Sequence, residues 1–296
     1  MSASLHPRPS AFDRAFALGA ALNIGFVAIE AAAGVIAGST ALLADAAHNF
    51  SDVLGLLLAW GASLLSRRPR SLRRTYGWRS SSILAAVLNA IVLLVVTGGV
   101  AWEAVQRFAR PASVAGGIVV WVALGGVGVN AATAFLFRHG RKHDLNVRGA
   151  YLHMAADAAV SAGVVVAGLA ILATGWDWID PLMTLVIAAV ILGSTWGLLR
   201  QSVNLALHAV PEGIDPEAVE AYLATLPGVT AVHDVHIWAM STTETALTAH
   251  LVKQDARDDD AVIAEATGVL HDRFGIHHTT LQWERGPDAC CPRVAV

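Results

Sequence analysis

The 296-residue chain is 55% apolar and only 15% charged, with a mean hydropathy of +0.55 and a formal net charge of -3. A soluble globular chain carries roughly 25% charged residues, so the composition excludes an ordinary soluble domain as a description of the whole. No basic patch with interleaved aromatics is present, which argues against a nucleic-acid partner.

The missing charge is concentrated in the first two thirds, which predicts a membrane domain followed by a soluble one. Residues 1–11 read as a short cytoplasmic N-terminal segment, and Met1 to Arg14 hold no short apolar core ending in a small-residue cleavage site, so no cleaved signal peptide is expected. Residues 12–208 form the expected membrane domain. It holds six stretches long enough for the roughly 20 apolar residues that a spanning helix needs. They run from Phe12 to Ala37, Ala41 to Leu65, Ser81 to Phe108, Val114 to Phe137, Val147 to Thr174 and Ile179 to Leu205. Glycine and alanine are abundant in them, and small residues let helices approach closely where lipid supplies no hydrophobic drive between them. Six stretches so poor in charge speak against the buried helices of a soluble all-α protein.

Arginine sets the expected orientation. Arg67, Arg68, Arg70, Arg73, Arg74 and Arg79 lie between the second and third stretches, and Arg138, Arg141, Lys142 and Arg148 between the fourth and fifth. The connections near Gly38 and over Gly175 to Asp180 have no basic residue. Basic loops stay in the cytoplasm, so both termini are expected there, in a multi-pass protein of a bacterial inner or plasma membrane. Arg107 and Arg110 are exceptions on the outer side.

Residues 209–286 read as a cytoplasmic α+β domain. A helix from Asp215 to Leu226 precedes two strand-like runs, Val229 to Met240 and Thr243 to Lys253. A helix from Asp258 to Phe274 and a strand from His277 to Glu284 follow. The order αββαβ fits a ferredoxin-like, split β-α-β arrangement. Residues 287–296 form a tail with the adjacent Cys290 and Cys291, which cannot staple the fold.

Charged groups in the bilayer are expensive, at least about 2.5–3.5 kcal/mol near its centre. The second stretch carries His48 and Asp52, and the fifth carries His153 and Asp157. The His-x-x-x-Asp spacing is common by chance, but this depth is not. Residues four apart share a helix face, so each helix offers one imidazole beside one carboxylate. Facing one another, the pairs supply the two nitrogen and two oxygen donors of a tetrahedral zinc shell. Magnesium and calcium prefer oxygen alone, so the nitrogen donors argue for Zn2+ or a near relative such as Cd2+, Co2+ or Fe2+. Two other readings stay open: intrahelical hydrogen bonds that hide polarity, and a proton relay without metal. Asp45, Glu30, Asn23 and Asn130 read as interhelical hydrogen-bonding residues or parts of a wet path rather than ligands.

The run Gly38-Ser39-Thr40-Ala41-Leu42-Leu43-Ala44-Asp45-Ala46-Ala47-His48-Asn49-Phe50-Ser51-Asp52, with His153-Met154-Ala155-Ala156-Asp157, resembles the cation diffusion facilitator family, zinc-transporting subgroup. The likeness extends over nearly the whole chain. It implies a homodimer that exports divalent cations from the cytoplasm in exchange for protons, by alternating access, with His48, Asp52, His153 and Asp157 as the transport site. Val232-His233-Asp234-Val235-His236-Ile237-Trp238, Thr248-Ala249-His250-Leu251 and Thr280-Leu281-Gln282-Trp283-Glu284 are similar to the family's cytoplasmic motifs. The resemblance therefore offers His233, His236, His250, His277 and Glu284 as cytoplasmic metal ligands. Gln282 stands where some members have histidine. Cys290 and Cys291 resemble a terminal cysteine pair of some zinc-transporting members and are further candidate ligands. A third metal site found in some members' second loop is not expected, because Arg74 and Trp78 cannot supply it. Two readings from other classes remain beside the antiporter: an intramembrane zinc hydrolase, and a metal sensor without transport. The hydrolase needs an open coordination position and a general base, and no His-Glu-x-x-His helix is present.

Overall fold

The computed structural model describes residues 11–66, 68–137, 145–254 and 259–285; at 11–22, 56, 59, 63, 136, 137 and 145–150 it describes the backbone alone. Arg67, the basic cluster 138–142, Cys290 and Cys291 fall outside the described residues. The chain divides into two compact units, residues 1–57 with 89–197 and residues 58–88 with 198–296.

The first unit is built from long helices: α1 (Ala11–Ala37), α2 (Thr40–Ser66), α3 (Ser81–Ala109), α4 (Gly116–Phe137), α5 (Leu145–Thr174) and α6 (Ile179–Ala206), of which α2, α3 and α6 continue into the second unit. Among the described residues, α2 to α6 each contain a segment long and apolar enough to cross a membrane. In α1 the described side chains begin at Asn23, leaving an apolar length of Asn23–Ala37. Large apolar side chains point outward along these helices, among them Ile36 (74% exposed), Trp121 (77%) and Val166 (67%). Water would penalise such a surface, whereas a lipid solvent favours it.

Inside, Leu42, Leu93, Val119, Ala123, Val164, Ile187 and Ile191 form the core. Close approach depends on missing side chains. A Cβ at Gly168 of α5 would come within 2.9 Å of Val120 on α4, and one at Gly116 within 3.1 Å of the Gly168 carbonyl. The α1–α2 corner turns at Gly38, whose φ of 63° favours glycine. There Ser39 N–H reaches the Gly34 carbonyl at 2.9 Å and Gly38 N–H the Val35 carbonyl at 3.3 Å, a Schellman cap.

The second unit contains α7 (Pro216–Ala224), β1 (Val229–Ala239), β2 (Thr245–Lys253), α8 (Asp259–Phe274) and β3 (His278–Glu284). Asp215 caps α7, accepting from the N–H of Glu217 at 3.0 Å and of Ala218 at 3.3 Å, with Pro216 at the first helical position. Leu223, Leu247, Leu251, Leu270 and Ile276 are buried where α7 and α8 cover the sheet. The strand order is β1-β2-β3, with β1 and β2 antiparallel and β2 and β3 parallel. The split arrangement expected from the sequence puts another strand between the two parallel ones. Here β2 and β3 are hydrogen-bonded neighbours, and α8 makes the crossover that a parallel pair requires. Strand order depends on pairings distant in sequence, which element order alone does not reveal.

Candidate metal centre

Helical spacing stacks His48 and Asp52 on one face of α2, and His153 and Asp157 on one face of α5. The structure brings the two faces together. His48 Nε2 lies 3.3 Å from Asp157 Oδ1 and 3.9 Å from Asp52 Oδ2. His153 Nε2 lies 3.2 Å from Asp52 Oδ2 and 3.7 Å from Asp157 Oδ2. Nitrogen and oxygen therefore alternate around a ring. The two imidazoles meet edge to face with centroids 6.1 Å apart. A tetrahedron with bonds of about 2.0–2.1 Å has edges of roughly 3.3–3.4 Å, near the nitrogen–oxygen separations around this ring. His48, Asp52 and Asp157 each have one ligand atom within 4.8 Å of the others, and His153 stands beside this group, nearest to Asp52. Asp157 Oδ2 is buried without a hydrogen-bond partner among the described residues. An unpartnered buried carboxylate oxygen is costly unless a cation or proton is to be bound there.

Exposure is graded. Asp157 and His48 have side chains 3% and 18% exposed, Asp52 and His153 29% and 45%. Around His48 the helices are joined by polar contacts at Asp45 and Asn49. Ser161 Oγ donates to Asp45 at 2.9 Å and Asn49 to Glu30 at 3.1 Å, all four residues being buried. These are the interhelical hydrogen bonds expected for Asp45 and Glu30. Asn23 faces the Met154 sulfur at 3.8 Å, whereas neither amide atom of buried Asn130 is bonded among the described residues.

Sequence reasoning missed Asp180. This aspartate, at the start of α6, is buried and accepts from four groups around the start of α2. They are the Thr40 N–H at 2.7 Å, the Thr40 hydroxyl at 2.8 Å, the Ala41 N–H at 3.4 Å and the Ser39 hydroxyl. The Thr184 hydroxyl donates to Thr40 Oγ1 at 2.7 Å. An acid from one helix thus caps the N-terminus of another, where free N–H groups and the helix dipole favour negative charge, and it fixes the helix that carries His48 and Asp52. The signal in the sequence was a charged residue retained at the edge of an apolar stretch.

The sheet of the second unit assembles another cluster. His233 and His250 are register partners on β1 and β2, and Glu284 lies opposite Val252, two residues beyond His250. His233 Nε2 is 2.8 Å from Glu284 Oε2, and His250 Nδ1 is 2.9 Å from Glu284 Oε1. The second contact is too poorly aligned for a hydrogen bond, since both atoms are buried without one. Two lone pairs facing a common point is what a shared cation requires. Of the other sequence candidates, His236 is largely exposed and bonded to Asp234 at 3.0 Å. It borders the cluster through Asp234, which lies 3.5 Å from His250. His277 is not brought in; it accepts from Thr245 N–H at 3.4 Å and its ring stands on His271.

Residues 17–205 match the cation efflux transmembrane domain, and residues 211–286 match the cytoplasmic domain of cation efflux proteins. This chain belongs to the cation efflux, or cation diffusion facilitator, family. Family and relatives are cation efflux transporters, which sets aside the hydrolase reading. Among curated relatives, the zinc transporter ZitB of Escherichia coli is 38% identical over 90% of this chain and 87% of its own length. A cadmium, cobalt and zinc/H(+)-K(+) antiporter of Bacillus subtilis is 33% identical over 88% of this chain and 85% of its own. A solved structure, the metal-bound C-terminal domain of the CzcD transporter from Cuprividus metallidurans, aligns at 38% identity with 24% of this chain and 99% of its own. Its TM-score is 0.23, too low to bear on the fold.

Proposed function

We propose that this cation efflux protein exports zinc from the cytoplasm in exchange for protons, carrying the ion on His48, Asp52, His153 and Asp157. The observation that carries the reading is the alternating ring of nitrogen and oxygen donors with separations of 3.2 to 3.9 Å. Two imidazoles with two carboxylates favour zinc over hard cations that want oxygen alone. Cadmium, cobalt and iron(II) share enough of that preference to be secondary substrates. The names of the relatives, a zinc transporter and a cadmium, cobalt and zinc antiporter, point the same way.

In this reading α1 to α6 are six spans forming a domain of residues 12–208, both termini are cytoplasmic, and residues 209–286 are the cytoplasmic domain, through which two copies pair. The graded exposure of the quartet then marks a state open to the cytoplasm. Asp52 and His153 are the accessible end, and the Asp45–Ser161 and Glu30–Asn49 contacts close the other side. Metal ligands must shed protons to bind zinc, and protonation expels the ion. Histidine's unperturbed pKa of about 6.5 puts that exchange near neutral pH, so an inward proton gradient drives zinc out. His233, His250 and Glu284 hold a regulatory zinc, with His236 at the edge of the site.

Zinc flux in proteoliposomes under an imposed pH gradient tests the proposal. Uptake should follow the gradient and collapse with an uncoupler; zinc binding without flux would instead make the protein a sensor. Repeating the assay with cadmium, cobalt, iron(II) and manganese ranks the substrates, with manganese expected last.

A further inference from the structure

The loop between α2 and α3 is folded rather than splayed. Ser71 and Arg74 exchange backbone hydrogen bonds at 3.2 and 3.0 Å, Gly77 N–H reaches the Arg74 carbonyl at 2.9 Å, and Gly77 has a φ of 73°. The Arg74 guanidinium carbon lies 3.8 Å above the Trp78 ring. Below it is an open cavity of about 560 Å³ lined by Arg73, Arg74, Tyr76 and Trp78, with Leu65 and Leu84 among its apolar walls. Leu65 belongs to the last turn of α2 and Leu84 to the first turn of α3. The ends of two apolar helices and a basic loop therefore meet at the cavity. Its lining contains two guanidiniums and no carboxylate. Arg79 pairs with Glu244 at 2.9 Å, but among the described residues no carboxylate pairs with Arg68, Arg70, Arg73 or Arg74. Leu72, between these arginines, is fully exposed.

A basic loop is enough to fix orientation; that role requires neither a cavity nor a cation seated on an indole. We propose that the cavity binds an anionic phospholipid of the cytoplasmic leaflet, its phosphate on Arg73 and Arg74 and its acyl chain along Leu65 and Leu84. Guanidinium is suited to this role because its planar donors pair with phosphate while its face stacks on an aromatic ring. The site has a route to the cytoplasmic sheet. The Ser80 hydroxyl donates to the Met240 carbonyl at 3.2 Å, Thr242 N–H to Ser82 Oγ at 3.1 Å, and the Tyr76 ring meets His278 edge-on at 5.9 Å. A bound lipid therefore stiffens the loop on which the turn between β1 and β2 rests.

The assignment rests on the cytoplasmic placement of this loop, and its test does not depend on transport. Full-length protein in detergent is titrated with phosphatidylglycerol or phosphatidylcholine of identical chains and followed by native mass spectrometry, with inorganic phosphate as competitor. Two arginines at the headgroup level predict a preference for phosphatidylglycerol of roughly 30-fold. The Arg73→Gln, Arg74→Gln double variant should lose most of that preference, and Arg73→Lys, Arg74→Lys should keep part of it. Unchanged zinc binding per protomer certifies that the variants are folded. Equal retention of both lipids by the wild type, an undiminished preference in the glutamine variant, or displacement of the lipid by millimolar phosphate would each overturn the proposal. So would loss of dimer rather than of lipid in the glutamine variant, which would assign the cavity to a second copy.

Discussion

The quartet on α2 and α5 and the trio on the cytoplasmic sheet both set imidazole nitrogens against carboxylate oxygens, yet different forces hold them. In the quartet each His/Asp pair is rigid within its own helix, and its distance from the other pair depends on how two helices lie. In the trio, His233 faces His250 across a hydrogen-bonded register and Glu284 sits in the same ladder. A small rotation of one helix separates the quartet without breaking a backbone hydrogen bond. Separating the trio requires breaking strand pairing. The first arrangement is suited to an ion that must be released, the second to an ion that stays.

The largest effect should come from removing the most buried ligand. Asp157→Ala is expected to lower pH-driven zinc flux by on the order of a hundredfold, measured with a zinc indicator inside proteoliposomes, while zinc still binds the cytoplasmic trio. Next is Asp180→Ala. It orphans the buried N–H groups of Thr40 and Ala41, each costing about 1–3 kcal/mol, and should lower the thermal midpoint of the solubilised protein by several degrees. Asp180→Asn, which keeps one acceptor oxygen, should lose less. His250→Ala sharpens the contrast from the other side. Zinc affinity at the trio should fall by about tenfold or more, read by calorimetry, with saturated flux unchanged.

The smallest effect concerns acid. Lys253, then Arg285, beside Asp259 hold its carboxyl below the ordinary value. A depressed carboxylate contributes stability above its unfolded pKa of about 3.9. That contribution is lost as pH falls through the still lower folded value. Asp259→Asn should therefore lower stability slightly and evenly above about pH 4, flatten the acid limb of a plot of unfolding midpoint against pH, and converge with the wild type at the lowest pH.

The sequence made His48, Asp52, His153 and Asp157 legible because two local properties coincided, helical spacing and a charge-poor surround. The cytoplasmic helices and strands were legible for a similar reason, since periodicity and turn residues act over a few positions. What escaped was long-range. The capping partners of Asp180 lie about 140 residues earlier, and an acid in the first turn of α6 looks like that helix's own capping residue. The side-by-side placement of β2 and β3 likewise depends on pairing across α8. Within β1, alternation fails between His233 and His236, where the register shifts and Asp234 adopts a φ of 52°, so counting along the strand could not say which histidine faces Glu284.

Transport as proposed requires a four-coordinate shell of two imidazoles and two carboxylates inside the membrane domain. The most direct test is zinc X-ray absorption on full-length protein carrying His233→Ala and His250→Ala, so that the quartet dominates the signal. Four nitrogen and oxygen neighbours at about 2.0–2.1 Å with imidazole outer-shell scattering are expected, lost when Asp157→Ala is added. Sulfur scattering near 2.3 Å, or a six-oxygen shell that persists without Asp157, would contradict it.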